Sequence, residues 1–445
     1  MTRVSRLPRD PGPAAWNALL PPPQPARVLE EKITADWLVI GAGFAGLAAV
    51  RRLTQLRPGD RIVLLEASRI GDGPAGRNSG FMIDLPHKLT SEDYSGEDAA
   101  KDQAQTELNR AAIDFAAQAA DEYGMDAESF DRSGKVNGAA AERGVKANAS
   151  YAAHLAELDE PHELLDRQAM RELTGSDYYL GGLFTPGAAM IQPAKFVRAM
   201  ATGLAGQVDI FEQSPVTETR RVDGDWRATT PQGSVTAPRV ILAVNGHAES
   251  FGYFRRRLVH IHLYASMTRA LASEEARVLG GAPRWGVTPS DPMGSTVRRI
   301  SGTGGDRIVI RNRVTYDPTR EIDAARLERM GKTHDASFKA RFPALPDDMM
   351  EHRWGGRLCL SLNDAPAFGE IEDGVFAACC QNGLGTTKGT ISGVLAAEQA
   401  ARGNNPLLVR MLEAPAPQRL PPEPIAALGA IATMKWKEWR AGRER

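Results

Sequence analysis

Short apolar runs and one helical segment follow each other near the start of the chain. Trp37-Leu38-Val39-Ile40 predicts a buried strand, Leu47–Leu56 has helical composition, and Arg61–Leu65 predicts a second strand. The glycine-rich run Gly41–Gly46 separates the first strand from the helix. This order predicts a β-α-β unit at the beginning of the folded region.

The pattern changes along the chain and returns near its end. Apolar residues recur at helical spacing from Glu97 to Gly124, which predicts a long amphipathic helix. From Phe130 the apolar runs shorten, and we predict strands at 208–211, 235–237, 240–244, 307–314, 357–362 and 375–378, with helices at 324–338 and 391–401. A glycine-rich turn at 383–389 precedes the last helix, so the order strand, glycine turn, helix occurs at both ends of the chain.

Length and composition indicate a soluble globular protein of two or three domains. The chain has 445 residues, of which 42% are hydrophobic and 24% charged, and 54 basic against 55 acidic residues leave a formal charge of -1. This balance does not suggest a nucleic-acid or membrane partner. No apolar run approaches the roughly 20 residues that cross a bilayer, so we predict no integral membrane segment.

Cysteine usage and the N-terminus favour a cytoplasmic location. Cys359, Cys379 and Cys380 form neither a disulfide framework nor a zinc-ligand spacing, so no metal site is predicted. Residues 1–27 are rich in proline and arginine and lack the apolar core of a secretion signal. We define residues 1–29 as the N-terminal arm. We predict that it is extended, that it cannot form helix because of the prolines at 21–23, that it is either draped over the fold or disordered, and that it carries little chemistry.

The glycine-rich run has the G-x-G-x-x-G spacing of a dinucleotide-binding turn. Its residues are Gly41, Ala42, Gly43, Phe44, Ala45 and Gly46, and Glu66 closes the next strand 20 positions later. Glycines let the backbone approach a pyrophosphate, and the helix N-terminus offers free N–H groups and a positive dipole end. Glu66 can accept hydrogen bonds from ribose hydroxyls. This motif leaves FAD and NAD open.

The segment after Glu66 resembles the second FAD-contact loop of one superfamily. The run Gly71–Phe81 contains Gly76-Arg77-Asn78-Ser79-Gly80 and is similar to the "A-S-G-R-N-G-G" run of the D-amino-acid oxidase, sarcosine oxidase and glycine oxidase (DAO) superfamily. The resemblance implies FAD and contacts from Ala67 and from residues 76–80. Ser79 stands where the family has the first glycine of a pair.

Segments in the C-terminal half carry the same resemblance. Trp354-Gly355-Gly356, Asn363–Gly369 and the turn Gly383-Leu384-Gly385-Thr386-Thr387 look like γ-glutamylputrescine oxidase and its relatives, and iminodiacetate oxidase-like members are close to this group. A helix that opens at Thr386 would point N–H groups at the flavin N1/O2 edge, where negative charge gathers on reduction. The resemblance also implies cofactor contacts from Val216, Ala243, Asn245 and Gly246.

The resemblance implies an α/β fold with a Rossmann-like FAD domain of the glutathione-reductase type. A substrate domain on a mixed or antiparallel sheet would complete it. We predict a discontinuous FAD-binding domain and a substrate domain between its parts. The predicted boundaries are 30–95, 187–250 and 351–415 for the FAD-binding domain, 96–186 and 251–350 for the substrate domain, and 416–445 for a C-terminal helix and tail. In that tail, Ile425 to Trp439 predict a helix with an apolar stripe, which either docks on its own domain or contacts headgroups or a partner subunit.

The family oxidises a C–N bond by hydride transfer to flavin N5, so the substrate side needs an anchor for a carboxylate. Arg311 and Arg313 lie at i and i+2 of a predicted strand and would share a face roughly 7 Å apart, unless that face is only solvated. Arg298 and Arg299 are comparable candidates. His262 and Tyr264, with His260, alternate along another strand, where they line a pocket or form hydrogen bonds in the interior.

Two further side chains invite comparison with sarcosine oxidases. Lys388 follows the glycine turn, one residue away from the register of a lysine that assists reoxidation by oxygen, and it can equally be a solvated helix-start residue. Cys359 can be compared with a cysteine that binds flavin covalently, but its flanking residues favour a buried thiol and non-covalent FAD.

These observations predict an amine or amino-acid oxidase that uses FAD and oxygen and acts on a small, secondary, carboxylated amine. The product would be an imine that hydrolyses, together with H₂O₂. A dehydrogenase that passes electrons to a quinone or carrier protein, and a non-catalytic flavin-binding subunit, are the alternatives. Substrate identity and oligomeric state are left open.

Overall fold

The computed structural model describes residues 1–86 and 99–445. The strands are β1 (Thr2–Arg3), β2 (Lys32–Thr34), β3 (Trp37–Ile40), β4 (Ile62–Leu65), β5 (Phe81–Met82), β6 (Lys135–Ala139), β7 (Glu163–Leu165), β8 (Gly181–Thr185), β9 (Ala189–Met190), β10 (Asp209–Phe211), β11 (Glu218–Val222), β12 (Asp225–Thr229), β13 (Ser234–Ala237), β14 (Arg239–Leu242), β15 (Val259–Thr268), β16 (Trp285–Pro289), β17 (Thr296–Ile300), β18 (Arg307–Tyr316), β19 (Met350–Leu360), β20 (Ala367–Glu372) and β21 (Val375–Cys379). The helices are α1 (Ala15–Ala18), α2 (Phe44–Leu56), α3 (Ala99–Glu122), α4 (Glu142–Glu157), α5 (Arg167–Thr174), α6 (Pro193–Leu204), α7 (Ser273–Leu279), α8 (Ala324–Arg341), α9 (Thr387–Ala401), α10 (Pro406–Glu413) and α11 (Ile425–Ala441), with short 3-10 helices at Pro74–Gly76, Asn245–Phe251 and Gly442–Glu444.

A six-stranded sheet forms the first layer, in the order β10-β4-β3-β14-β21-β20. Its first five strands run parallel, and β20 pairs antiparallel at the edge. All four residues of β3 and of β4 are buried, as expected for parallel strands covered on both faces. The N-terminal part of the chain supplies β3 and β4 and the C-terminal part supplies β21. This parallel layer confirms the predicted Rossmann-like fold class, whereas the predicted domain boundaries stay a prediction.

Helices cover one face of this sheet and a second sheet covers the other. The helix side packs apolar residues of α2, α3, α6 and α9 against alternate residues of β3 and β4. The opposite face packs on a five-stranded sheet in the order β1-β11-β12-β13-β2. Although the sequence prediction assigns residues 96–186 to the substrate domain, α3 packs with Ala48 of α2 and with Ile391 and Leu395 of α9. Residues 97 and 98 of the predicted helix lie outside the described residues.

An eight-stranded sheet forms the second domain, in the order β19-β15-β18-β17-β16-β6-β8-β7. Its pairs are antiparallel except for the parallel pair of β16 and β6, so the prediction of a mixed sheet is confirmed. Its core includes apolar residues of β16, β17 and β18 together with Phe338 of α8.

The N-terminal arm is draped over the fold, which is one of the two predicted alternatives. β1 pairs antiparallel with β11, and Trp16 of α1 is completely buried. The expectation that the arm forms no helix is wrong for Ala15–Ala18, because the prolines that prevent helix formation lie beyond this segment, at 21–23.

The C-terminal helix α11 lies against β18, where Glu438 pairs with Arg313 at 3.3 Å. Its other side exposes apolar residues, which are Ile425, Leu428, Ile431, Trp436 and Trp439. Across residues 1–86 and 99–445, the structure contains no helix that combines the length and the apolar character needed to span a bilayer.

Candidate active site

A cavity of about 710 Å³ lies between the parallel sheet and the eight-stranded sheet. The β3–α2 turn, the end of β4, the 71–80 loop and the end of β14 form one side of its lining. Residues of β15, β18 and β19, the start of α9, α11 and the N-terminal arm form most of the remainder. Ligands of open α/β sheets bind outside the carboxyl ends of the strands, and the cavity has this location.

Glycine stands at three positions of the β3–α2 turn, and the structural reason differs between them. Gly41 has φ +101°, and a Cβ atom at Gly46 would lie 1.7 Å from the Gly41 carbonyl oxygen, so the turn requires both glycines. A Cβ atom at Gly43 would meet only the Ala75 Cβ atom, at 3.6 Å. Gly43 caps α2 with no side-chain hydrogen bond, so the first N–H groups and the positive dipole end of the helix face the cavity.

Glu66 closes β4 beside this turn. Its Oε2 accepts a hydrogen bond from the Ala42 N–H at 2.9 Å, and its Oε1 accepts one from the Ser68 N–H at 3.0 Å. Burial raises the pKa of Glu66, although the N–H groups of Ser68 and Ala42 oppose this shift. The two hydrogen bonds fix a carboxylate whose remaining lone pairs can accept from ribose hydroxyls.

The 71–80 loop is held by its own polar groups. Arg77 donates from Nε to the Asp72 carbonyl at 2.6 Å and from Nη1 to the Gly355 carbonyl at 3.1 Å. The Asn78 Oδ1 accepts from the Gly80 N–H at 2.8 Å. Gly80 has φ +75°, whereas Ser79 is not among the residues with positive φ. Serine therefore fits the position where the superfamily has a glycine.

The start of α9 contributes a second helix N-terminus. Thr386 donates from Oγ1 to the Phe81 carbonyl at 2.5 Å, and the Thr387 Oγ1 accepts from the Ile83 N–H at 3.0 Å. These hydrogen bonds attach α9 to the strand that follows the 71–80 loop. Thr386, the N-cap, makes no side-chain capping hydrogen bond, and it lines the cavity with Gly383, Leu384 and Gly385.

Two uncapped helix N-termini and a fixed carboxylate fit a dinucleotide that carries a pyrophosphate and a ring with electron-rich oxygen atoms. Among the predicted cofactor residues, those that line the cavity are Gly41, Ala42, Gly43, Phe44, Ala45, Glu66, Ala67, Arg77, Asn78, Ser79, Gly80, Val216, Ala243, Asn245, Gly246, Gly383, Leu384, Gly385 and Thr386. Gly46, Gly76 and Thr387 stand behind this lining and support it.

The two predicted anchor arginines are separated by a β-bulge. Arg311 lines the cavity, and its Nη2 donates to Thr296 Oγ1 at 2.9 Å. The register between β15 and β18 shifts at Leu263/Tyr264, and Arg313 has φ +62° at this point. Because the bulge interrupts the alternation, Arg313 pairs with Glu438 and does not line the cavity.

His262 and Tyr264 line the cavity and share a polar network around Asp317. The Tyr264 hydroxyl and Thr315 Oγ1 are 2.6 Å apart, and Thr315 donates to Asp317. His262 Nδ1 lies 3.4 Å from Asp317 Oδ2, and in the described part of the chain neither ring nitrogen of His262 has a hydrogen-bond partner. Burial raises the pKa of Asp317, but the nearby His262, the hydrogen bond from Thr315 and the charge of Arg326 bring this pKa below its ordinary value.

The other anchor candidates lie outside the cavity lining. Arg298 donates to the carbonyls of Ser79, Gly80 and Ile191, and its guanidinium lies over the rings of Trp16 and Phe81. Burial lowers the pKa of Arg298 to about 9. Arg299 pairs with Asp306 at 2.7 Å. Both arginines hold parts of the structure together.

Lys388 and Cys359 do not line the cavity either. Lys388 Nζ lies 3.7 Å from Asp364 Oδ2. Cys359 is buried, and its Sγ donates to Asn245 Oδ1 at 3.2 Å. A hydrogen bond with Cys380, together with burial, raises the pKa of the Cys359 thiol well above its ordinary value.

Sequence reasoning missed several residues of the lining. The N-terminal arm contributes Arg6 and Asp10, the loop between β18 and α8 contributes Arg320, β19 contributes Arg357, and α11 contributes residues that include Thr433, Met434 and Lys437. Arg357 directly follows the Trp354-Gly355-Gly356 motif, whereas the other segments carry no motif. Only long-range packing brings them to the cavity.

The parallel layer, the glycine turn with Glu66 and the mixed second sheet define a two-domain oxidoreductase fold of the dinucleotide-binding class. Residues 36–399 match the family model DAO, described as FAD dependent oxidoreductase. The chain belongs to this family and is an FAD-dependent oxidoreductase.

Individual relatives support this assignment. Gamma-glutamylputrescine oxidoreductase of Escherichia coli is 27% identical over 392 residues, which cover 84% of this chain and 85% of the relative. Glycine oxidase from Geobacillus kaustophilus has a TM-score of 0.69 at 18% identity, over 87% of this chain and 100% of that one. Iminodiacetate oxidase from Chelativorans sp. BNC1 has a TM-score of 0.66 at 15% identity, over 86% of this chain and 100% of that chain. The two solved structures show the fold.

Proposed function

We propose that the protein is an FAD-dependent oxidase of a small secondary amine or amino acid that carries a carboxylate. The observation that carries this proposal is a single cavity lined both by the dinucleotide-binding turn and by Arg311, His262 and Tyr264. Relatives whose names include γ-glutamylputrescine, glycine and iminodiacetate, all of which contain C–N bonds, support the substrate class.

Bound FAD would supply a hydride acceptor at flavin N5 and would return the two electrons to O₂, giving H₂O₂. The chain has to hold the neutral amine with its C–H bond toward this acceptor. Arg311 binds the substrate carboxylate through its planar guanidinium. His262 accepts the ammonium proton at Nε2, and Asp317 faces its Nδ1. Loss of the hydride from carbon then leaves a protonated imine, which water hydrolyses to a carbonyl compound and a protonated amine.

We further propose that FAD is bound without a covalent link. In support, Cys359 is buried against Asn245 and Cys380 and is not part of the cavity lining. The purified protein should be yellow and should release its flavin into the supernatant after acid denaturation. Flavin that stays with the precipitate would contradict non-covalent binding. A cytoplasmic location is part of the proposal, supported by three buried free thiols.

An anaerobic screen of amines, with flavin bleaching at its visible absorption band as the signal, tests the function. The expected result is complete bleaching by a carboxylated secondary amine and then H₂O₂ formation when oxygen is admitted. Bleaching without oxygen consumption would indicate a dehydrogenase that uses a quinone or carrier protein. If no amine or amino acid bleaches the flavin, the proposed function is wrong.

A further inference from the structure

The N-terminal arm lies outside the family match, which begins at residue 36, yet it lines the cavity of the cofactor residues. Val4, Arg6, Leu7, Pro8 and Asp10 form this part of the lining. The arm thus adds to a site that the family match alone does not complete.

Hydrogen bonds fix the path of the arm beside the cavity. The Val4 N–H donates to the Thr217 carbonyl at 2.9 Å, next to the predicted cofactor contact Val216. The Trp16 Nε1–H donates to the Asn78 carbonyl at 2.8 Å, in the 71–80 loop. Between these two points, the arm follows the span over which the predicted cofactor contacts are distributed.

Asp10 connects the arm to two arginines from different parts of the molecule. Its Oδ2 accepts from Arg357 Nη2 at 2.9 Å, and its Oδ1 lies 3.7 Å from Arg77 Nε. The Arg9 carbonyl accepts from Arg357 Nη1 at 3.0 Å. Two neighbouring residues of the arm therefore hold the guanidinium of Arg357.

Arg357 retains a donor that these contacts do not use. It lines the cavity with 8% of its surface exposed, and within residues 1–86 and 99–445 its Nε has no hydrogen-bond partner. Burial lowers the pKa of Arg357, while the charges of Asp10, Glu321 and Glu66 oppose this shift. Glu66, at the end of β4 beside the glycine turn, lines the same cavity as Arg357.

A bound pyrophosphate brings negative charge into the cavity, and burial of that charge needs charged partners. The glycine turn offers N–H groups and a helix dipole but no cation, because residues 41–46 are all uncharged. Arg77 is already engaged by the carbonyls of Asp72 and Gly355. Arg357 has both the charge and an unused N–H.

We propose that the N-terminal arm is part of the cofactor site and that Asp10 is a positioning residue, which orients Arg357 to bind the pyrophosphate of the dinucleotide. This role concerns cofactor binding and does not depend on which amine the enzyme oxidises.

The test uses the full-length chain stripped of flavin and measures the dissociation constant of added FAD by fluorescence quenching. Asp10→Asn and Arg357→Met should each weaken FAD binding by roughly 10- to 100-fold. The double variant should be no weaker than Arg357→Met alone, because Asp10 acts through Arg357. Arg353→Met and Asp335→Asn are the matched controls. Arg353 lies in β19 like Arg357, its Nη2 is 2.8 Å from Asp335 Oδ1, and this ion pair lies outside the cavity lining. Both control variants should keep FAD affinity within about twofold of the wild type.

Titration calorimetry with ADP and adenosine identifies the group that Arg357 binds. Arg357→Met should lose affinity for ADP and keep its affinity for adenosine. Equal losses for both probes, unchanged FAD binding in Asp10→Asn, or an equal loss in Arg353→Met would each overturn the proposal. These measurements use no amine, so their failure is distinct from failure of the proposed oxidase activity.

Discussion

Glycines 43 and 46 show at the residue scale how one motif combines a folding requirement with a binding requirement. A side chain at Gly46 would collide with the Gly41 carbonyl, whereas a side chain at Gly43 would enter open space in the cavity. The fold therefore requires Gly46, and the proposed ligand requires Gly43.

Gly43→Val should abolish FAD binding without unfolding the protein, because the valine would occupy the approach of the pyrophosphate. Flavin content per chain and thermal unfolding are the measurements. Gly206→Val is the control, since no heavy atom lies within 4 Å of a Cβ atom there, and it should keep both properties. Full flavin content in Gly43→Val would count against the binding mode.

Arg311→Met should raise the apparent dissociation constant for a carboxylated substrate by one to three orders of magnitude, at about 1.4 kcal/mol per decade. The variant leaves the substrate carboxylate without its charged partner, and Arg311→Lys should recover only part because lysine lacks the planar fork. Stopped-flow flavin reduction measures this constant, and FAD content should not change.

The control for Arg311 is Arg313→Met, which breaks the ion pair with Glu438 outside the cavity lining. In Arg313→Met, the apparent dissociation constant of the substrate, measured by flavin reduction, should equal that of the wild-type protein. If Arg311→Met also behaves like the wild type, the anchor lies elsewhere.

At the scale of elements, close packing of two helices brings both N-termini to one cavity. A Cβ atom at Gly393 of α9 would lie 1.9 Å from the Ala45 carbonyl oxygen of α2, so the two helices can approach only with glycine at this position. The bulge in β18 has the opposite effect, because it directs Arg311 and Arg313 to different places, and only Arg311 lines the cavity.

The interface between α8 and the second sheet contains a titratable group, His334. Its Nδ1 lies 2.7 Å from Ser266 Oγ, and burial lowers its pKa from 6.5 to about 3. Between these two pH values the unfolded chain binds a proton that the folded protein does not bind. The free energy of unfolding should therefore fall as the pH is lowered from about 6.5, by at most about 1.4 kcal/mol per pH unit from this group.

Urea unfolding at several pH values between 4.5 and 7.5 measures this dependence. His334→Gln should flatten it, whereas Ser266→Ala should preserve it, since burial is the main cause of the shift. An unchanged slope in His334→Gln would show that other groups control the acid sensitivity.

At the scale of the whole molecule, both ends of the chain return to the folded body. The C-terminal segment is fixed at Glu444, which is buried, and its Oε1 accepts from the N–H groups of Ala140 and Ala141 at 2.9 and 3.0 Å. The Glu444 carbonyl also accepts from the Ser295 N–H at 2.7 Å. These contacts hold α11, one of the cavity walls, against the second domain.

Removal of Glu444 and Arg445 should lower the free energy of unfolding by roughly 3 kcal/mol, because buried N–H groups lose their acceptors. Chemical denaturation measures the loss. Trp439→Ser, on a residue that is 75% exposed, is the control and should change stability by less than about 0.5 kcal/mol. Equal stability of the truncated and full-length chains would contradict the anchoring role.

Contiguous residues determined the glycine turn with Glu66, and several separate segments together determined the family and, through the resemblance to it, the parallel layer and the mixed second sheet. A strand, a turn of fixed spacing and a helix start depend on local backbone chemistry. The individual cofactor and substrate contacts stay predictions. Only the tertiary structure decided that Arg311 and not Arg313 lines the cavity, that Arg298 is enclosed by carbonyls and aromatic rings, and that Asp10 reaches Arg357. These outcomes depend on a bulge and on packing between residues up to hundreds of positions apart, which local patterns do not specify.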